Sequence, residues 1–346
     1  MITLEPVKAL TSSQTAGAPY SCSPAWLELC RGLYRYDTRL FLIKRHGAAI
    51  GGFCCAVVRS GVFRTRLISM PFSDEPGLWL NPGIALSKAE RDSLMTAAAA
   101  ALDALAGETK PAYAELRGAA LAEGAAGFER SSPYLRLTLD TSRPYEELRA
   151  AFHINLIKNL RKADKTVTVS QTRSPADFRR VYGIYLGQMR LFGSPPLAAA
   201  HFERLLEAGL GRLFIASVGK EPAALLFALV HDGVFYADVN AGLPDCSEFF
   251  PKIRLFDATI RLACAEGLRA YDFMRTRPGS GVHEHKKKWS GREFPIDYYF
   301  RAYGKTAAAG LDPEESRFAL PRLLLKNAPL PLLGALGPVI RRHAGK

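Results

Sequence analysis

Cysteine is scarce in this 346-residue chain: Cys22, Cys30, Cys54, Cys55, Cys246 and Cys264, with no CxxC pair. That is too few for a disulfide framework, so a reduced, cytosolic chain is expected, with the thiols serving as small buried hydrophobes. The first residues, MITLEPVKAL, hold an early acid, Glu5, and no apolar stretch, so a secretory signal is not expected. No run approaches the ~18 uninterrupted apolar residues of a membrane-spanning helix. Several motifs are missing as well: GxxxxGK[ST], GxGxxG after a strand, GxSxG and HExxH. Their absence counts against a P-loop nucleotidase, a Rossmann dehydrogenase, an α/β-hydrolase and a zincin.

Acid is in short supply in particular places. Asp and Glu total 33 against 46 Lys and Arg, a net charge of +13. Residues 152–165 and 283–292 each carry +3, and residues 318–346 carry +5 with no acid, so the remaining chain is nearly balanced. Such concentration favours binding of an anion over general solubility. Hydrophobic residues make up 48% and charged residues 23% of the chain, ordinary globular values. At roughly 150 residues per domain the length fits two domains.

The pattern along the chain is α/β. TRLFLIKRHG, AAIGGFCCAVVRSG and VFRTRLISMPF read as a strand meander punctuated by His46-Gly47 and Ser60-Gly61. SDEPGLWLNPG reads as turns. Ser87, Glu90 and Gly107 bracket a helix, and PAYAELRG and SSPYLRLTLD are further strands. A domain of residues 1–143 is expected from this. A second, 144–305, opens with one long helix over PYEELRAAFHINLIKNLRKADKT, whose Phe152, Leu156 and Leu160 share a face while Lys158, Arg161, Lys162 and Lys165 crowd the other. A strand, two helices, three strands (GRLFIASVGK, EPAALLFALVHDG, VFYADVNAG), the helix KIRLFDATIRLACAEGL and the strand RAYDFM follow. Residues 306–346 form an apolar, basic tail. Its prolines at 321, 329, 331 and 338 predict an irregular segment packed on the second domain. The alternative is peripheral contact of 318–346 with anionic lipid.

Two clusters could carry chemistry. Asp272 to Trp289 follows a strand and combines a carboxylate, Arg275 and Arg277, a Pro-Gly-Ser-Gly turn, His283, His285, Glu284, three lysines and Trp289. Asp272, His283 or His285 could serve as a general base. On a strand His283 and His285 would face one way, yet no third ligand is placed by spacing, so no metal is expected. The second cluster is the basic face around Arg161 and Lys162, which could hold the phosphates of a cofactor or of RNA. A solvated, charge-rich loop is an equal reading of the first cluster, and a solvated helix face is the commoner use of the second.

At these clusters the sequence resembles the FemAB-related, GNAT-like acyltransferases. Asn159-Leu160-Arg161-Lys162-Ala163 is similar to that family's R-N-[IL]-R-K-A helix, and Gln188-Met189-Arg190-Leu191-Phe192-Gly193-Ser194-Pro195 to its M-R-x-L-G-[ST]-P stretch. Asp272-Phe273-Met274-Arg275-Thr276, Gly279-Ser280-Gly281 and Lys286-Lys287-Lys288-Trp289-Ser290 resemble its D-F-G-R-S…G-S-G…F-K-x-x-W-G signature. Leu67 to Phe72 resembles its S-L-P-F strand end, and Ala328 to Leu332 with Gly337-Pro338 its L-P-L-P…G-P ending. Met274 stands where the family has Gly, His285 where it has Phe, and Ser290 where it has Gly.

The resemblance implies an α/β fold of two tandem GNAT-like domains with mixed central sheets and a cleft between them. It implies transfer of an acyl or aminoacyl group from acyl-CoA or aminoacyl-tRNA to an amine, often on a peptidoglycan or exopolysaccharide precursor. On this footing Asp272, Lys286 and His283 are the expected catalytic residues. Arg161, Lys162, Arg275, Thr276, Ser280, Gly281, His285 and Trp289 are expected to bind substrate, with no metal. Lys286 or Arg275 would meet the oxyanion of the tetrahedral intermediate. The usual pyrophosphate loop of GNAT enzymes is replaced by Leu243 to Pro251, where Asp245 and Glu248 have the wrong sign for an anion. The expected partners are an anionic small-molecule or lipid-linked acceptor, tRNA, and the membrane surface, for a cytoplasmic protein peripheral at the inner membrane. The alternatives are a catalytically inactive protein that binds a polysaccharide or lipid-linked intermediate, and an RNA-binding module.

Overall fold

The computed structural model describes residues 2–11, 13–117, 127–304 and 318–345. The chain divides into two compact units. Unit 1 takes Met1–Pro133, Ile296–Pro313 and Arg342–Lys346, and unit 2 takes Tyr134–Pro295 and Glu314–Arg341.

Unit 1 begins with β1 (Ile2–Val7), α1 (Pro24–Glu28), β2 (Asp37–Arg45), β3 (Ala48–Val58), β4 (Arg66–Ser69) and β5 (Leu78–Leu80). β1 to β4 pair antiparallel in order, and β5 adds to β3. The helix α2 (Lys88–Thr109) then carries the chain back over the sheet, so β6 (Tyr113–Arg117) lies parallel to β4. The capping box read from Ser87 and Glu90 is present in both halves, and it satisfies two helix-start donors. The helix passes through Gly107 and stops at Thr109, with Lys110 left-handed at φ 49°. Its Leu94, Ala98, Leu102 and Leu105, spaced by three and four, bury against Ile43, Phe53, Val57 and Leu116 of the sheet. The stretch read as turns contains β5, too short for an alternating pattern to be visible.

The strand β7 (Glu129–Asp140) leads into unit 2, where α3 (Tyr145–Ala150), α4 (Ile154–Ala163), β8 (Val167–Thr172), α5 (Pro175–Phe192), α6 (Ala199–Glu207), β9 (Gly211–Val218), β10 (Glu221–His231), β11 (Val234–Gly242), α7 (Pro251–Ala265), β12 (Ala270–Thr276) and α8 (Gly281–Lys287) follow. β8 to β11 form an antiparallel meander; the α7 crossover makes β12 parallel to β11, and β7 pairs antiparallel with β12. Each unit is therefore a mixed sheet with one helix-linked parallel pair, which connections of this length require. The strand β13 (Arg292–Ala302) returns to unit 1, where Tyr298 to Ala302 pair with β6.

Three local readings change. The single helix expected at 144–166 is two: α3 ends at Ala150, and α4 starts afresh with the His153 side chain accepting from Asn155 N–H at 3.2 Å. The loop expected after β12 contains α8, so His283 and His285 sit on a helix and do not share a face. From residue 318 to 345 the tail is helical, as α9 (Ala319–Asn327) and α10 (Leu330–Ala344), while 306–317 of the expected tail lie outside the described residues. Pro321 and Pro331 fall in the first turn of their helices and Pro329 just before one, where a missing N–H removes no helical hydrogen bond; only Pro338 is interior.

Candidate functional site

β11 and β12 pair over just three positions, Val234↔Ala270, Phe235↔Tyr271 and Tyr236↔Asp272. Beyond them β11 runs on to Gly242 and β12 to Thr276 without pairing to each other. Main-chain amides and carbonyls on the two facing edges are thereby left outside the ladder, and Met274, Arg275 and Thr276 lie on the parted end of β12.

The cause lies partly in β12. Its register against β7 jumps between Asp272↔Thr138 and Arg275↔Arg136, so β12 carries one extra residue, a β-bulge. Met274 takes the strain at φ +60°, the left-handed region that favours glycine. A side chain there costs on the order of 1–2 kcal/mol. The position where the family has Gly thus has the backbone that glycine prefers, and Met274 preserves that backbone. Asp272, 1% exposed, braces the bulge: one oxygen accepts from Met274 N–H at 2.7 Å and the other lies 3.2 Å from Arg136 Nε. From α8, the buried Lys286 ammonium donates to the carbonyls of Met274 and Arg275, each at 3.0 Å.

The turn before α8 is built by its own polar side chains. Ser280 Oγ caps the helix, accepting from His283 N–H at 3.2 Å, and donates to the Arg277 carbonyl at 2.8 Å, with Thr276 Oγ at 3.4 Å. His283 Nδ1 accepts from Gly279 N–H at 3.0 Å, which leaves Nε2–H to face Glu293 at 3.1 Å. Both ring nitrogens are occupied, so His283 shapes the turn; a role as base would require it to give up a hydrogen bond. Gly281 is the first residue of α8. Arg275 and Arg277 both lie over the Tyr134 ring, at 4.9 and 5.2 Å. Trp289 is fully buried among Phe152, Phe256 and Phe273 and lines nothing open.

His285 points elsewhere, against the Phe256 ring at 6.2 Å. Burial first, then the charges of Lys252, Lys288 and Lys286, push it down from 6.5 to about 4. It is neutral at neutral pH. Lys252, in the first turn of α7, is pushed below the usual lysine range by burial. Its ammonium donates to Gln188 Oε1 on α5 at 3.5 Å. Asn240 on β11 donates to the Lys252 carbonyl at 3.2 Å, while its Oδ1 is buried without a hydrogen bond among the described residues. Phe250, left-handed at φ 57°, precedes α7 with no side-chain cap, and the Lys162 ammonium lies 5.9 Å over its ring. Arg161 is exposed on α4. Asp245 and Glu248 are exposed on the short 3-10 turn before α7.

The structure therefore brings Asp272, Arg275 and Lys286 together at the bulge, and Lys252, Lys286, Lys288 and His285 into one cationic environment. Lys162 joins at the start of α7. Lys252, Asn240, Gln188 and Arg136 were not among the expected site residues. One signal for Lys252 existed: a lysine in the first turn of a helix opposes the helix dipole. Arg136 left none, because an arginine on the open face of a strand is ordinary until its partner strand is known.

A pH dependence follows. Between about 4 and 6.5 the unfolded chain protonates His285 while the folded chain does not, so stability rises with pH across that window and is lost on acidification. Buried His201, pushed down to about 3 by burial and Arg341, acts in the same sense. Each contributes at most about 3 kcal/mol by pH 4. Denaturation midpoints at pH 7 and pH 4.5 should differ less in His285→Phe than in the parent; an unchanged difference would show that His285 is freely protonated in the fold.

Residues 152–287 match the acetyltransferase (GNAT) domain family. No curated protein sequence matches the chain. Among solved structures, FemX superposes with a TM-score of 0.63 at 12% identity, covering 81% of this chain and 92% of that one. The C-terminal domain of a putative lysylphosphatidylglycerol synthetase from Agrobacterium fabrum gives 0.52 at 11% identity, covering 72% and 80%. L-PGS from Bacillus licheniformis gives 0.50 at 11% identity, covering 87% and 90%. At these identities the likeness is one of fold, and it extends over both units. Residues 152–287 thus match the acetyltransferase (GNAT) domain family, within a chain whose fold is similar to that of FemX.

Proposed function

We propose that the chain is an N-acyltransferase that moves an acyl or aminoacyl group from acyl-CoA or aminoacyl-tRNA onto an amine of an anionic or lipid-linked acceptor. The observation that carries this reading is the parting of β11 and β12 inside a cationic setting. An extended, amide-bearing donor arm can complete the unpaired main-chain edges, and the orphaned Asn240 Oδ1 offers an acceptor for one of its N–H groups. The uncapped start of α7 with Lys162 and Lys252 suits the donor's phosphate, since helix-start amides and ammonium groups favour anions. The acids at Asp245 and Glu248 are exposed, so solvent and salt weaken their repulsion of a phosphate.

In the reaction the amine nitrogen attacks the donor carbonyl, and the C–S or C–O bond breaks as the amide forms. Lys286 supplies the positive charge nearest the bulge for the oxyanion. Asp272 positions, since its oxygens are engaged by Arg136 and Met274 N–H. The attacking amine must shed a proton. The His285 ring makes no hydrogen bond among the described residues, and a donor phosphate beside Lys252 and Lys288 would offset the charges that add to its burial. It then becomes a competent acceptor once donor is bound. The proton leaves on the departing thiolate or alkoxide.

Donor binding measured with acyl-CoA and aminoacyl-tRNA, followed by transfer of labelled acyl group to an amine, tests this reading. Lys252→Met should raise the Kd of the true donor by about ten- to a hundredfold, the worth of a charge-assisted hydrogen bond. Binding of neither donor class, or a Kd unmoved in Lys252→Met, would sink it.

A further inference from the structure

The C-terminal helices expose an apolar face that acyl transfer does not use. On α9, Leu320, Leu323 and Leu324 are 64%, 57% and 64% exposed; on α10, Leu332, Leu336, Val339 and Ile340 range from 37% to 54%. Their spacings, three and one on α9, then four, three and one on α10, place each set on one side of its helix. The neighbouring side of α10 is the packed one: Leu333 is buried, and a side chain at Gly337 would meet Pro196 at 2.1 Å. α9 sits against the end of α5, since a side chain at Gly193 would come within 2.7 Å of the Arg322 carbonyl. Leu191 and Phe192, both about half exposed, extend the apolar surface there. Most of the large apolar side chains exposed among the described residues belong to this one region.

The charge beside it has one sign. Residues 318–346 hold Arg322, Lys326, Arg341, Arg342 and Lys346 and no acid. Two copies of this face would bring like charges together, which disfavours self-association through it. An apolar stripe flanked by cations complements a surface that is oily beneath and negative at its rim. Neither helix is long and apolar enough to cross a bilayer.

We propose that the outward face of α9 and α10, with Leu191 and Phe192, docks on an anionic phospholipid surface, the leucines entering the headgroup boundary and the basic residues meeting lipid phosphates. The inference goes beyond the acyl-transfer reading and does not depend on it.

Co-sedimentation of the full chain with phosphatidylcholine vesicles, with and without about one-third phosphatidylglycerol, tests it. Partitioning should be at least about tenfold stronger on the anionic vesicles and should weaken as salt rises. Leu332→Glu/Leu336→Glu should abolish binding to both vesicle types without moving the thermal midpoint, because both side chains face outward. Lys326→Gln/Arg342→Gln should remove only the preference for anionic lipid. Equal partitioning on both vesicle types, or no binding to either, would overturn the proposal. So would concentration-dependent dimerisation that Leu336→Glu abolishes, which would assign the face to a second copy. Vesicle binding is read without turnover, so its failure leaves the acyl-transfer reading untouched, and the reverse holds.

Discussion

Replacing Lys286 with methionine should lower kcat for acyl transfer by about 10²–10³, the usual cost of removing one preorganised group that meets a developing oxyanion. The ammonium is buried, and its position is set from two directions. α8 is anchored by its Ser280 cap, and the Met274 and Arg275 carbonyls receive two of its hydrogen bonds. Methionine keeps most of the side-chain length and removes the charge. The two carbonyls lose their donor, a loss of about 1–3 kcal/mol, so kcat must be compared at a temperature where both proteins are folded. Donor Kd should stay within a few-fold, since the proposed function puts the phosphate at Lys252, Lys162 and the start of α7. Lys286→Arg should recover stability more than rate, because a planar guanidinium does not reproduce a point charge at that spot. A kcat within tenfold of the parent in a folded Lys286→Met protein would make this lysine a brace for the bulge and nothing more.

Trp289→Ala should cost unit 2 about 3–5 kcal/mol, the range for removing a large buried aromatic. The indole is fully buried, with edge-to-face contacts to Phe152 at 5.0 Å and Phe256 at 5.6 Å and a tilted one to Phe273 at 6.0 Å. These rings come from the segment before α4, from α7 and from β12, so the residue ties three elements together. For a domain of this size each kcal/mol moves the thermal midpoint by about 2–4 °C, giving a drop of roughly 10 °C. The Trp289 Nε1 has no hydrogen-bond partner among the described residues, so Trp289→Phe should cost far less: it loses area but no hydrogen bond. If Trp289 instead walled a substrate pocket, alanine would raise KM and leave the denaturation midpoint in place. Urea unfolding beside a KM measurement separates the two.

Much of unit 2 was legible before folding because its cues are local. Ser174 and Gly193 bracket α5 as a cap and a left-handed stop, and the Asp-Gly turn joins β10 to β11. The alternation and runs of β9 to β11 follow from sheet faces. The helix α8 was hidden by its composition, since a Pro-Gly-Ser-Gly start and three lysines read as loop; its cap at Ser280 was the cue. The tail departs from the irregular segment its prolines predict, because proline's cost depends on whether it falls in a first turn.

The site divides the same way. Its cations, its carboxylate and its glycine-rich turn lie in two stretches of chain and could be named from residue types alone, because charge runs and turn residues are properties of neighbours in sequence. Their duties could not. Whether Asp272 takes a proton or braces a bulge depends on Arg136, more than 100 positions away and delivered by strand register. Whether His285 is charged depends on burial and on Lys252, which arrives on a crossover helix. Local periodicity decided the elements and the sign of the charge. Register, burial and the early parting of β11 from β12 decided which charges are braces and which remain for a substrate, because those are set only when distant segments share one low-dielectric space.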